Sequence, residues 1–137
     1  LARNPILSLC ARLKVPNIYK EFALKAAKQH MKYFDIFDMR VSKIYELIES
    51  LIIGHISYLN EYIDVCRADF EGSTCENKDE ARKVFEQKAE FSRRAQSFLE
   101  NLKAEDMPNF EKLPKDKAFG EALRAYKIEA LTAFLKD

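Results

Sequence analysis

Tryptophan is absent from this 137-residue sequence, and glycine (3), proline (4) and cysteine (3) are scarce. Sheets need frequent turns, and turns draw on Gly, Pro, Asn and Asp. So few punctuating residues imply few, long elements and disfavour a strand-rich fold. The cysteines, Cys10, Cys66 and Cys75, are odd in number and irregular in spacing, which argues against a disulfide framework. They read as free buried thiols. A Cys66–Cys75 bridge is the rival, because the two fall at a predicted helix end and in the loop after it. The formal net charge is only +1, so no global field draws in nucleic acid or an anionic membrane. No stretch approaches the ~20 apolar residues of a membrane span, and no signal-peptide pattern is present. Leu1 in place of Met reads as a processed chain or an excised domain, and the compartment stays unread.

What is present is helical periodicity. Asn4-Pro5 suits the start of a short helix running to about residue 14, which Val15-Pro16 ends. Asn17 then caps a second helix over 18–38, with Phe22, Ala23, Ala26, Ala27, His30 and Phe34 on one face. Lys25, Lys28 and Lys32 fall on the opposite face. A third helix over 42–70 carries Ile44, Leu47, Ile48, Leu51, His55, Tyr58, Leu59, Tyr62 and Cys66 as a stripe, widened by Ile52, Ile56 and Ile63. A stripe that broad should touch several neighbours, which makes this the central helix. Residues 71–77 read as a hairpin loop in which Gly72 adopts a left-handed conformation and Asn77 caps the next helix. That helix, over 78–105, shows a seam of Ala81, Val84, Lys88, Phe91, Ala95, Phe98 and Leu102. A connector over 107–114 leads to a last helix over 115–136, with Phe119, Leu123, Tyr126, Ala130 and Phe134 inward. The expected fold is all-α: an antiparallel bundle of four long helices with a short N-terminal one, in a single domain.

The opening stretch Ile6-Leu7-Ser8-Leu9-Cys10-Ala11-Arg12-Leu13-Lys14-Val15-Pro16 is similar to the start of a cyclin-type repeat of general transcription factors, a helical fold. The similarity covers under a quarter of the chain. The bulkier run Ile48 to Tyr62 departs from the pattern, and the resemblance is set aside.

Chemistry-bearing patterns are few. No Ser sits in a nucleophile elbow, and three scattered glycines cannot build a phosphate-cradling loop. His30 and His55 fall on apolar stripes and read as hydrogen-bonded core histidines. Asp35, Asp38 and Glu49 lack the spacing of metal ligands. The sequence therefore predicts a chain that is not an enzyme and holds neither cofactor nor metal.

The charge is unevenly spread. Residues 1–34 hold seven basic groups and one acidic group, residues 35–80 hold four and eleven, and residues 81–137 hold twelve and ten. Opposed charge blocks, with Ile53, Ile128 and Leu135 lying outside the stripes and Ile56 flanking Ile53, suit a partner interface. The leading expectation is a protein–protein interaction or assembly domain with a protein partner, a homodimer being one form. The alternative is a carrier of a lipid or other apolar ligand, with Tyr58, Tyr62 and Tyr126 at polar mouths of an aromatic-rich bundle. The third reading is a nucleic-acid binder using Lys25, Lys28 and Lys32. It is disfavoured because the net charge is balanced and the face lacks Arg and exposed aromatics.

Overall fold

The computed structural model describes residues 3–136. The all-α expectation holds: helices dominate, and the sheet content among the described residues is one hairpin of two-residue strands. Helix α1 (Arg3–Leu13) turns into α2 (Asn17–Gln29) through a three-residue corner. Lys14 ends α1 in the left-handed region at φ 55°. Its amide donates to Ala11 O at 3.4 Å, and the Val15 amide to Cys10 O at 3.0 Å. These paired bonds are the ending usually built on glycine, because a Cβ disfavours that conformation.

The predicted helix over 18–38 is shorter than its apolar stripe suggests. It stops at Gln29, and Lys32–Asp38 form a 3₁₀ turn that buries Tyr33 and Ile36. The predicted central helix over 42–70 is two helices, α3 (Val41–Ser50) and α4 (Leu59–Gly72), separated by the hairpin β1 (Ile52–Ile53) and β2 (Ile56–Ser57). Ile52 pairs with Ser57 and Ile53 with Ile56. The two linking residues, Gly54 and His55, have φ of 58° and 67°. Two consecutive left-handed residues make the mirror-image turn whose twist matches paired strands. Such a turn cannot lie inside an α-helix, so the stripe that continues through it by period is broken in space.

Gly72 stays helical. The left-handed residue of the following loop is Asn77, at φ 53°, immediately before α5 (Lys78–Asn101). Lys78 reinforces the loop by donating to Phe70 O and Ser73 O. On α5 the buried line is Phe85, Ala89, Ser92, Ala95 and Leu99. This line is displaced from the predicted seam, of which only Ala95 is buried and Val84 is exposed. Small residues at 89, 92 and 95 allow close approach of neighbouring elements, while Phe91 and Phe98 flank the contact. Two short 3₁₀ turns (Ala104–Asp106 and Phe110–Lys112) bridge to α6 (Lys117–Lys136). Asp116 caps α6 by accepting from the amides of Ala118 at 2.9 Å and Phe119 at 3.4 Å.

The core gathers around α3, α4 and α5. Leu47, Ile48, Leu51, Leu59, Tyr62, Ile63 and Cys66 are sealed, with Tyr33 and Ile36 from the 3₁₀ turn and Leu131 from α6. Helix α6 packs on α3 and α5, and Phe98 stacks on Phe134 with centroids 4.3 Å apart.

Candidate functional site

Where α2 stops, its last carbonyls lose their helical donors. The core supplies replacements. Tyr62 O–H donates to Gln29 O at 2.6 Å, and the Cys66 thiol reaches His30 O at 3.6 Å. His30 Nδ1–H donates to Ala27 O at 2.9 Å. Burial pushes the Cys66 thiol up to about 11 and drives the Tyr33 and Tyr62 phenols well above their ordinary value. These groups are therefore neutral donors at physiological pH. Their bonds explain the half-buried His30, which serves structure. His55 belongs to no core: it is exposed at the hairpin tip. The thiols are free, with Cys66 buried and Cys75 exposed in its loop.

The expected interface residues do not share a surface. Ile53 is buried at 7% exposure because β1 turns it inward, whereas its strand partner Ile56 is 57% exposed. Ile128 and Leu135 are half-buried against the core rather than displayed. Tyr62 is fully buried, so it forms no ligand mouth; Tyr58 and Tyr126 are half-buried. The aromatic residues largely interlock. Tyr33 meets Phe34, Tyr62 and Phe85, and Phe70 stacks on Phe85 at 5.4 Å. Phe34, Phe70, Val84, Phe85 and Lys88 line an open cleft whose lysine donates to Phe34 O.

The basic amino-terminal quarter is the most distinctive surface. Lys28 and Lys32 are exposed, and Lys25 is half-buried and paired with Glu21 at 3.4 Å. Glu21 is the sole carboxylate in residues 1–34. Among the described residues, the other cations of α1, its corner and α2 (Arg3, Arg12, Lys14, Lys20 and Lys28) have no carboxylate within ion-pair distance. Elsewhere Arg67 pairs with Asp64 and Glu86, Arg82 with Glu71 and Asp79, and Arg124 with Glu46. Described cations without an ion pair there, such as Lys103, Lys112 and Lys117, stand within two residues of an acid in sequence. This surface also carries an aromatic that sequence reasoning missed. Tyr19 is 64% exposed. By period it belongs to the Phe22–Ala26 stripe and looks buried. It lies in the first turn of α2, where nothing packs over it. Its place beside the α1–α2 corner was the available signal.

No family model and no solved structure matches this chain. Curated relatives do. The chain is 28% identical over 133 residues, 96% of its length, to the multifunctional CCA protein of Acinetobacter baumannii (strain AYE). It is 27% identical over 135 residues to that of Acinetobacter baylyi, and 35% identical over 78 residues, 56% of the chain, to that of Haemophilus influenzae (strain PittGG). The chain spans about 30% of the length of the Acinetobacter relatives. Two expectations are corrected by these matches. Missing catalytic motifs had excluded an enzyme, and a balanced net charge had disfavoured nucleic acid. Similarity along nearly the whole chain to proteins named for CCA, a nucleotide sequence, overturns both exclusions. The physical reason is that a chain matching about 30% of those relatives' length need not carry the motifs of the rest. Nor does its net charge report a locally basic surface.

Proposed function

We propose that this chain is a helical part of a tRNA nucleotidyltransferase-type enzyme and that it holds RNA for work at the CCA end. The observation that carries this reading is the 28% identity over 96% of the chain to multifunctional CCA proteins. The basic quarter supports it. Phosphate backbones are held by cations whose charge is not already neutralised by a carboxylate, and α1, the corner and α2 concentrate such cations. The charge lies on helices and their corner, so the backbone positions from which the cations project are fixed by the fold.

The test is titration of the full chain with a labelled tRNA ending in CCA, followed by fluorescence anisotropy at several salt concentrations. Binding should be saturable, with log affinity falling linearly against log salt as counterions are released. A negligible, salt-insensitive signal for tRNA overturns the reading.

A further inference from the structure

We infer that the α1–α2 corner is the RNA contact itself, with Tyr19 as a stacking platform for an unpaired base and Arg12 and Lys14 as the phosphate clamps. The inference rests on the preceding reading and locates its site. Three observations carry it.

The first is charge. From Arg3 to Lys20 the chain has four basic residues and no carboxylate. The next longest acid-free run, residues 22–34, carries Lys25, Lys28 and Lys32, and Lys25 there is taken by Glu21. The nearest carboxylate in sequence, Glu21, is already paired with Lys25 at 3.4 Å, which weakens its repulsion of a polyanion brought to this corner.

The second is the aromatic in that field. Tyr19 is 64% exposed, and Leu13, at the end of α1, is 63% exposed. The corner is only Lys14–Val15–Pro16, so Arg12, Lys14 and Tyr19 all lie within about one helical turn of it. Unpaired bases stack on exposed aromatic faces while neighbouring cations take the backbone, the usual arrangement for single strands. A duplex offers no free base face, so the occupant is unpaired RNA, and on the preceding reading that is the CCA end.

The third is Lys14. It fills the left-handed position that closes α1, at φ 55°, where glycine would relieve roughly 1 kcal/mol of steric cost. The chain keeps a cation at a position where stability favours Gly. Its bond to Ala11 O and that from Val15 to Cys10 O hold the backbone of the corner in place, so the exposed Lys14 side chain projects from a fixed point beside Arg12.

The experiment compares the wild-type chain with Tyr19→Ala, Tyr19→Phe, Lys14→Gly and the double variant Arg12→Gln/Lys14→Gln. Each is titrated with tRNA ending in CCA and with the same tRNA lacking those three nucleotides. Far-ultraviolet circular dichroism confirms that each variant is folded. Tyr19→Ala should weaken CCA-ended tRNA by about 5- to 100-fold, the range for one lost stacking partner, with an unchanged salt slope. Tyr19→Phe should bind like wild type. The double variant should lower the salt slope by about two. Lys14→Gly should unfold at higher denaturant yet bind more weakly, a combination no purely structural role produces. The Tyr19→Ala loss should vanish on the truncated tRNA.

If wild type binds and all four variants bind equally, the contact lies elsewhere and this inference fails while the preceding reading stands. If wild type binds neither RNA, both fall. If Tyr19→Ala changes sedimentation and leaves RNA affinity intact, the patch is a protein contact and the inference is overturned.

Discussion

The phenol of Tyr62 on α4 donates to the main-chain carbonyl of Gln29 at the end of α2, at 2.6 Å and out of contact with water. The bond ties the basic quarter to the core, because Gln29 is the last residue of α2. Tyr62→Phe removes the donor and leaves a buried carbonyl short of a partner. A loss of about 1–3 kcal/mol is expected. Tyr33→Phe provides the contrast. Tyr33 O–H donates to Phe85 O at 2.6 Å, but Phe85 lies inside α5, where the helix already supplies that carbonyl with an amide. Tyr33→Phe should cost less than Tyr62→Phe. Urea unfolding of both variants ranks them, and equal losses would count against this account.

Cys66 should be the slow thiol. Burial lifts it to about 11, and its sulfur is fully covered beside His30 O. The thiolate is the reactive form, so native protein at pH 8 should label at exposed Cys75 first and at Cys66 only with unfolding. The same shift has a direction in stability. A thiol whose pKa is raised on folding stabilises the folded state fully below its unfolded value of 9.0, and that contribution is lost as pH rises through about 11. Tyr33 and Tyr62 are raised too, so they extend the decline to higher pH. Stability should fall by about 1.4 kcal/mol per pH unit for each proton released only on unfolding. Denaturant midpoints between pH 8 and 11 measure it. A flat profile would remove burial as the cause.

The hairpin between α3 and α4 makes opposite predictions at adjacent residues. His55 sits at φ 67° with an exposed ring, so His55→Gly should stabilise by up to about 1 kcal/mol. Gly54, at φ 58°, has open space where a side-chain methyl group would stand, so Gly54→Ala meets no clash. It still incurs the left-handed conformational penalty of roughly 1 kcal/mol. Ile53→Asp would bury a carboxylate beside the core and should unfold the protein, whereas Ile56→Asp, on an exposed side chain, should be nearly silent. Thermal melts of the four variants separate these cases.

The class of fold was legible because glycine and proline are few and the apolar residues repeat at helical spacing. Ile44, Leu47, Ile48, Leu51, Leu59, Tyr62 and Cys66 are buried as their stripe requires. The hairpin was not legible from that stripe, since Leu51 and Leu59 stand eight residues apart and a helical period joins them without a break. The local signal ran the other way: β-branched Ile52-Ile53 and Ile56 around Gly54-His55 favour a tight hairpin. On α5, period alone could not choose between the large residues Val84 and Phe91 and the small ones Ala89 and Ser92. Close packing chose the small ones. The candidate site was half visible. The basic quarter stood out in the charge count, but whole-chain charge hid it. Val15-Pro16 marked the corner beside Tyr19, but the helical period of α2 puts Tyr19 on the stripe of Phe22 and Ala26, and period alone does not report that nothing covers its first turn.

Helix α6 should be the least firmly held of the long helices. Only Leu131 on it is buried, and its side-chain ties include the Phe98–Phe134 stack, with planes 10° apart, and the Arg124–Glu46 pair at 2.7 Å. Both charges of that pair are substantially exposed, so it adds about 0–1 kcal/mol. The stack covers more area, and an aromatic pair adds about 0.5–1.5 kcal/mol beyond simple burial. Phe134→Ala should therefore loosen α6 far more than Arg124→Ala does. Hydrogen exchange reads this segment by segment. In Phe134→Ala the α6 amides should exchange faster while those of α3 and α4 keep their protection. Uniform loss across all helices would mean that α6 is cooperative with the core, with Leu131 as the tie.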